Sequence, residues 1–163
     1  MLGLAAQWLG VNQTQANSVA PILISEEQGR HKSTFCRMLM PPQLARYYSD
    51  NLKLTAQGNP ERLLAEMGLL NMDEFDKFGA QKMPLLKNLM QMSSLNICKA
   101  YQKNFRSLPR IASFIGTSNR TDLLCDPTGS RRFICIEAEH DIDCTGIEHS
   151  QTYAQLKEEL LAG

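Results

Sequence analysis

The residues with the clearest chemical use are Lys32, Ser33 and Thr34, which follow a short apolar run, Ile22 to Ile24, and a polar turn. A strand, a tight loop and a helix opening on Lys-Ser-Thr form the layout of a phosphate-binding P-loop. That chemistry asks for backbone N–H groups converging on an anion at a helix start. It also asks for a lysine reaching the β- and γ-phosphates and a hydroxyl taking one position on Mg²⁺. Lys32 is placed for the lysine and Ser33 for the hydroxyl. Gln28, Gly29, Arg30, His31 and Thr34 complete the expected binding segment, with ATP and Mg²⁺ as its ligands. The full pattern is Gly, four residues, Gly, Lys, Ser/Thr; here its glycine positions hold Glu26 and His31, and Gly29 alone supplies a loop glycine. A non-glycine residue at positive φ is strained by about 1–2 kcal/mol, and His is among the better tolerated exceptions. Taken alone, the stretch also suits a strand-to-helix loop that binds nothing.

The second chemical signal is Gly68-Leu-Leu-Asn-Met-Asp-Glu-Phe-Asp76. An apolar strand ending in adjacent carboxylates puts Asp73 at the edge where open α/β sheets bind ligands. In P-loop ATPases the first such carboxylate organises Mg²⁺ and the second activates the attacking water. Asp73 and Glu74 suit those roles. An isolated Asp-Glu after a strand is an ordinary surface turn, but roughly forty residues after Lys-Ser-Thr it has the order and spacing of a partner. A third apolar run, Ile111 to Asn119, ends in an amide able to hydrogen-bond the attacking water or the γ-phosphate. Asn119 is otherwise a simple turn residue. Arg131 and Arg132 open the strand Phe133 to Glu137. They are either surface charge or an arginine finger reaching a neighbouring subunit's γ-phosphate.

Charge is segregated along the chain. Its 17 Lys and Arg balance 17 Asp and Glu over 163 residues, yet no carboxylate lies between Asp76 and Asp122. Lys77, Lys82, Lys87, Lys99, Lys103, Arg106, Arg110 and Arg120 fill that interval, and from Glu137 onward Lys157 is the only Lys or Arg. This gives the molecule a basic and an acidic side. Within the interval, Lys99, Lys103, Arg106 and Arg110 interleave with Tyr101 and Phe105, which suits a track for single-stranded nucleic acid. The same spacing fits one face of an exposed helix; Pro109 favours a hairpin.

The elements that must position these groups follow from periodicity and breakers. The chain reads as one domain, large enough to bury a core without disulfides or metals. Helices are expected over Leu2–Leu9, Lys32–Met40, Pro60–Met67, Met83–Met92 and Gln151–Ala162. Gly10 ends the first, which should bury Leu2, Ala5, Ala6 and Leu9; Val11 to Ser18 is a connector. Pro41-Pro42 stops the second, Asn59 caps the third and Ser150 caps the last. The methionines of the fourth read as core filler. Ala45 to Leu54 contains a short strand, and Asp126-Pro-Thr-Gly129 is a turn. The expected organisation is an N-terminal helix and connector over 1–18 and a P-loop core over 19–163, cut from a longer protein. Five scattered cysteines read as reduced, mostly buried thiols of a cytoplasmic protein rather than a zinc site. No run approaches the roughly 20 apolar residues of a membrane span, so no membrane partner is expected.

Several pieces in order resemble the virulence-associated E family: Gln28-Gly29 with Lys32-Ser33-Thr34, Met72-Asp73-Glu74-Phe75-Asp76, Ala100-Tyr101, Phe114-Ile-Gly-Thr-Ser-Asn119 and Thr128-Gly-Ser-Arg-Arg-Phe133. The resemblance covers about Pro21 to Leu161. These are P-loop ATPases akin to the superfamily 3 helicases and primase-helicases of viruses, phages and mobile elements. The resemblance implies an α/β, three-layer, AAA+-like core with a central parallel sheet of order 5-1-4-3-2 and helices on both faces. It implies a homo-oligomeric ring with ATP at subunit interfaces and Arg131 or Arg132 acting in trans. A basic hairpin carrying Lys99, Tyr101 and Lys103 would track DNA, and flanking primase or DNA-binding domains would complete the enzyme. The expected function is the ATP-hydrolysing core of a DNA helicase-like replication protein. The alternative is a degenerate P-loop scaffold that assembles on nucleic acid without hydrolysis, because the family has glycine where His31 stands and Glu26 would repel phosphate. A small-molecule kinase is a weaker third reading.

Overall fold

The computed structural model describes residues 1–11, 16–98, 105–120, 122 and 130–162. In chain order its elements are α1 (Leu2–Leu9), β1 (Ala20–Ile24), α2 (Lys32–Met38), β2 (Tyr48–Ser49), α3 (Pro60–Glu66), β3 (Leu69–Met72), α4 (Met83–Gln91), β4 (Ser94–Cys98), β5 (Phe105–Pro109), β6 (Ser113–Ser118), β7 (Phe133–Glu137) and α5 (His149–Ala162). The apolar runs became the strands. β3 and β6 are buried along their whole length, and β1 nearly so, as parallel strands covered on both faces must be.

Five strands form one sheet in the order β2-β3-β6-β1-β7, with every pair parallel. This departs from the expected 5-1-4-3-2 in chain numbering, because β4 and β5 leave the sheet. They pair antiparallel with each other as a separate two-stranded hairpin. Numbered among themselves, the sheet strands run 2-3-4-1-5 from the β2 edge. The hairpin favoured by Pro109 is present, although Lys99, Ala100, Tyr101 and Lys103 lie outside the described residues, as do Cys125 and the expected turn at Asp126–Gly129.

Alternation along the strands sorts side chains to two layers. Ile22 and Ile24, Leu70 and Met72, and Phe114 face one core with Leu64 of α3 and Leu86, Leu89 and Met90 of α4. Leu23, Leu69 and Ile115 face the other, with Leu4 of α1 and Cys36 of α2. Met90 is fully buried, and Met83 and Met92 pack against the first core, the gap-filling role expected of them. Gly116 stands at a close approach: a Cβ there would lie 2.6 Å from Ile22 Cδ1 and 3.3 Å from the Met72 carbonyl oxygen.

Two local expectations change. α1 buries Leu4, Ala5 and Ala6, while Leu2 and Leu9 are 43% and 53% exposed. The rotation follows from Trp8, whose indole N–H donates to the Gly68 carbonyl at 3.0 Å and whose ring stacks on Tyr153 of α5 at 5.7 Å. α5 begins at His149, so Ser150 lies within the helix rather than capping it. Asn59 does stand at the α3 N-cap, but with φ 41° and no side-chain cap bond. Cys36 is buried, and Cys135 and Cys144 are half-buried free thiols. Among the described residues no helix is long and apolar enough to cross a membrane.

Candidate functional site

Parallel strands bring their C-terminal ends to one edge, where open α/β sheets bind ligands. Here the ends of β1, β3 and β6 open onto a cleft of about 360 Å³. It is lined by 28–34, by Asp73 and Glu74, and by Thr117, Ser118 and Asn119. The candidate residues of three separate stretches therefore meet in one place.

The loop after β1 takes its shape from two left-handed residues. Gly29 has φ 86°, with nothing within 4 Å of the position its Cβ would take, so its role is conformational. His31 has φ 58° immediately before α2, and its carbonyl accepts the Phe35 N–H at 2.8 Å. The position where the motif wants glycine is thus a position that needs glycine's conformation. The segment between β7 and α5 braces the loop. Asp141 pairs with Arg30 at 3.1 Å, and the Ile142 N–H donates to the Arg30 carbonyl at 3.3 Å. Arg30 is held further by Glu27 at 2.6 Å, which turns its guanidinium toward carboxylates.

Lys32 is buried, and its ammonium lies within reach of four oxygens. These are Asn119 Oδ1 at 3.0 Å, Ser25 Oγ at 3.2 Å, and the Ser25 and Glu27 carbonyls at 3.4 Å each. An ammonium has three donors, so these contacts saturate it. Burial lowers its pKa from the usual lysine range, the nearby Arg30 lowers it further, and Asp73 opposes both.

On the α2 side of the sheet, Asp73 Oδ1 accepts hydroxyl protons from Ser33 at 2.8 Å and Thr117 at 2.5 Å. Thr117 Oγ1 also accepts the Glu74 N–H at 3.3 Å. Glu74 sits at φ 52°, and its carboxylate pairs with Lys77 at 2.6 Å. Mg²⁺ holds oxygen ligands at 2.0–2.1 Å in an octahedron, so two neighbouring ligands stand about 2.9 Å apart. The Ser33–Asp73 separation matches that span. Among the described residues no three His, Cys, Asp or Glu cluster as metal ligands. That donor set suits a hard cation supplied mostly with water and phosphate oxygens.

Arg131 and Arg132 are not brought to this cleft. They form a 3₁₀ turn before β7, whose first residue pairs with Ala20 at the start of β1. β1 spans five residues, which places the pair about 16 Å along the strand direction from Ser25. Arg106 lies exposed on β5 opposite Ile97.

A model of the virulence-associated protein E-like domain matches residues 10–162. The chain belongs to that family. Its fold resembles three solved apo structures of the C-terminal region of NrS-1, each at 21% identity, covering 97% of this chain, with TM-scores of 0.55, 0.56 and 0.57. The virulence-associated E-like chain spans 37–39% of the length of those NrS-1 chains. Likeness at this identity speaks for the fold alone. No curated protein matches the sequence.

Sequence reasoning did not single out Thr117, Ser118 or Ser25 in this virulence-associated E-like domain. Thr117 is 3% exposed and joins Asp73 to the Glu74 backbone, while Ser118 Oγ donates to Asp76 at 2.8 Å. The available signal was position: Thr117 stands two residues before the strand-tip amide, which puts it one strand over from Asp73.

Proposed function

We propose that the chain is the nucleoside triphosphate-hydrolysing core of a helicase-like replication protein, with a P-loop at 25–34. One observation carries the reading: Lys32, Ser33, Asp73, Glu74 and Asn119, from three stretches of sequence, line a single cleft at the strand ends. Membership of the virulence-associated E-like family supports a replication role.

In this reading Lys32 exchanges the oxygens of Ser25, Glu27 and Asn119 for phosphate oxygens, whose negative charge makes them stronger partners for the ammonium than those neutral acceptors. Ser33 and Asp73 would hold Mg²⁺, which would supply neutralisation of phosphate charge when bound. Thr117 keeps the Asp73 carboxylate turned toward Ser33. Glu74 accepts the proton of the attacking water, and Asn119 orients that water or the γ-phosphate. Arg131 and Arg132 serve a neighbouring subunit's cleft.

Lys32→Ala is expected to abolish binding of a fluorescent ATP analogue. Glu74→Gln is expected to keep that binding and lower turnover by at least about 100-fold, the usual contribution of a general base. Unchanged binding in Lys32→Ala removes the cleft as the nucleotide site, and retained turnover in Glu74→Gln removes Glu74 as the base.

The scaffold reading has its own observation. His31 occupies a left-handed position without being glycine, and Lys32 is saturated by Ser25, the Glu27 carbonyl and Asn119. A domain that keeps that closed arrangement would assemble without turnover.

A further inference from the structure

Asp73 and Glu74 line two clefts. Away from the 25–31 loop, they border a second one of about 260 Å³, whose other charged lining residues are Lys53, Lys77 and Lys82. Leu52 and Leu54 are buried beneath it, and Phe78 supplies an apolar wall. Among the described residues only Lys77 of the three is ion-paired, and its partner is Glu74, at 2.6 Å. The proposed base of the first cleft is therefore tethered at the border of the second.

We propose that this second cleft binds phosphates of a single-stranded nucleic acid, and that binding draws Lys77 away from Glu74 and frees the carboxylate for the water in the first cleft. The inference rests on the reading of Glu74 as the base. Three ammonium groups stand against the Asp73 and Glu74 carboxylates at this cleft, so it carries one positive charge in excess. Lys53 and Lys82, which have no ion pair among the described residues, favour an anion beside them. Lys77 of this cleft begins the acid-free interval of the sequence that continues through Lys82 and Lys87 of the α4 region to Arg106 on the hairpin. Charge repeated over that length suits a backbone with repeated phosphates better than one small phosphate ester. The exchange is easy because the pair is open to water: the Lys77 and Glu74 side chains are 67% and 51% exposed. Exposed ion pairs are weak, so the tether slows the unstimulated reaction by no more than about fivefold. The Glu74 backbone stays in place during the exchange, because its N–H remains on Thr117.

The test uses a fluorescein-labelled oligothymidylate and the intact chain. Binding is titrated against salt without nucleotide, and ATP turnover is measured with and without the oligonucleotide. Lys53→Met, Lys77→Met and Lys82→Met are each expected to weaken binding and to flatten the log–log salt dependence by about 0.7 for each phosphate no longer neutralised. Lys77→Met is expected to raise unstimulated turnover up to about fivefold and to lose further stimulation. Lys53→Met and Lys82→Met should each reduce the fold stimulation by the oligonucleotide, measured against the variant's own unstimulated rate. Salt slopes equal to wild type in all three variants overturn the cleft as a nucleic-acid site. Full stimulation of Lys77→Met overturns the release step, and transfer of phosphate to a small acceptor in place of water overturns both. A wild-type chain that never hydrolyses ATP overturns the reading of Glu74 and the release with it, while the salt slopes still decide the cleft.

Discussion

His31 shows how one residue can disturb a motif and still obey its geometry. Its φ of 58° is the conformation the pattern reserves for glycine. A left-handed non-glycine residue is strained by about 1–2 kcal/mol, and glycine would give back about 0.5–1 kcal/mol through the greater freedom of its unfolded chain. His31→Gly is therefore expected to stabilise the domain by about 0.5–1 kcal/mol, a rise in melting temperature of about 1–4 °C. A fall would mean that the imidazole makes interactions worth more than the strain. The same variant compares the two functional readings: a large gain in ATP affinity favours the scaffold, and little change favours a working site. Residue types alone announced Lys32, Ser33, Asp73, Glu74 and Asn119, since each belongs to a local pattern. Thr117 was hidden because a buried threonine in a strand looks like any β-former until the neighbouring strand is known.

Among elements, the strands and helices were legible wherever a breaker adjoined an apolar run, as at Pro41, Pro60 and Gly68. The α1 face was not, because a helical wheel weighs Leu above Trp, and the tertiary acceptor for the Trp8 indole decides the rotation. The hairpin depends on Arg110, which the spacing put on the nucleic-acid track but which is buried and turned inward instead. Arg110, at the foot of β5, is 1% exposed. It donates to the Leu89 and Met90 carbonyls in the last turn of α4 at 3.3 and 2.8 Å, and to the Asn17 carbonyl at 2.5 Å. Burial pulls its pKa down to about 10, so it stays charged at neutral pH and serves as the C-terminal cap of α4. Arg110→Met would remove this donor from the Met90 and Asn17 carbonyls, while the Leu89 carbonyl keeps the Met92 N–H, and each buried group left unpaired costs about 1–3 kcal/mol. The expected loss is about 3 kcal/mol in urea unfolding. Arg110→Lys should recover only part of it, because an ammonium lacks the planar fork that spans α4 and residue 17. Stability equal to wild type in Arg110→Met would show that the hairpin holds its place by strand pairing alone.

At the scale of the whole molecule, the two arginines and the cleft stand at opposite ends of neighbouring strands. If Arg131 or Arg132 acts on a γ-phosphate, a second copy must present it, through a heterologous contact in which one subunit offers its cleft and the next its β7 end. Such an arrangement makes a sharp statement about mixtures. Lys32→Ala subunits lack a working cleft but carry intact arginines; Arg131→Ala/Arg132→Ala subunits carry the reverse defect. Each preparation alone should be inactive, and the double arginine variant should still bind nucleotide. In an equal, randomly assembled mixture a cleft is intact half the time and its neighbour's arginines half the time, so about one quarter of wild-type turnover should return. Return of activity on mixing requires the arginines to work across an interface. No return, with wild-type turnover surviving in the double arginine variant, would assign Arg131 and Arg132 to the surface and leave the cleft to act with its own chain alone.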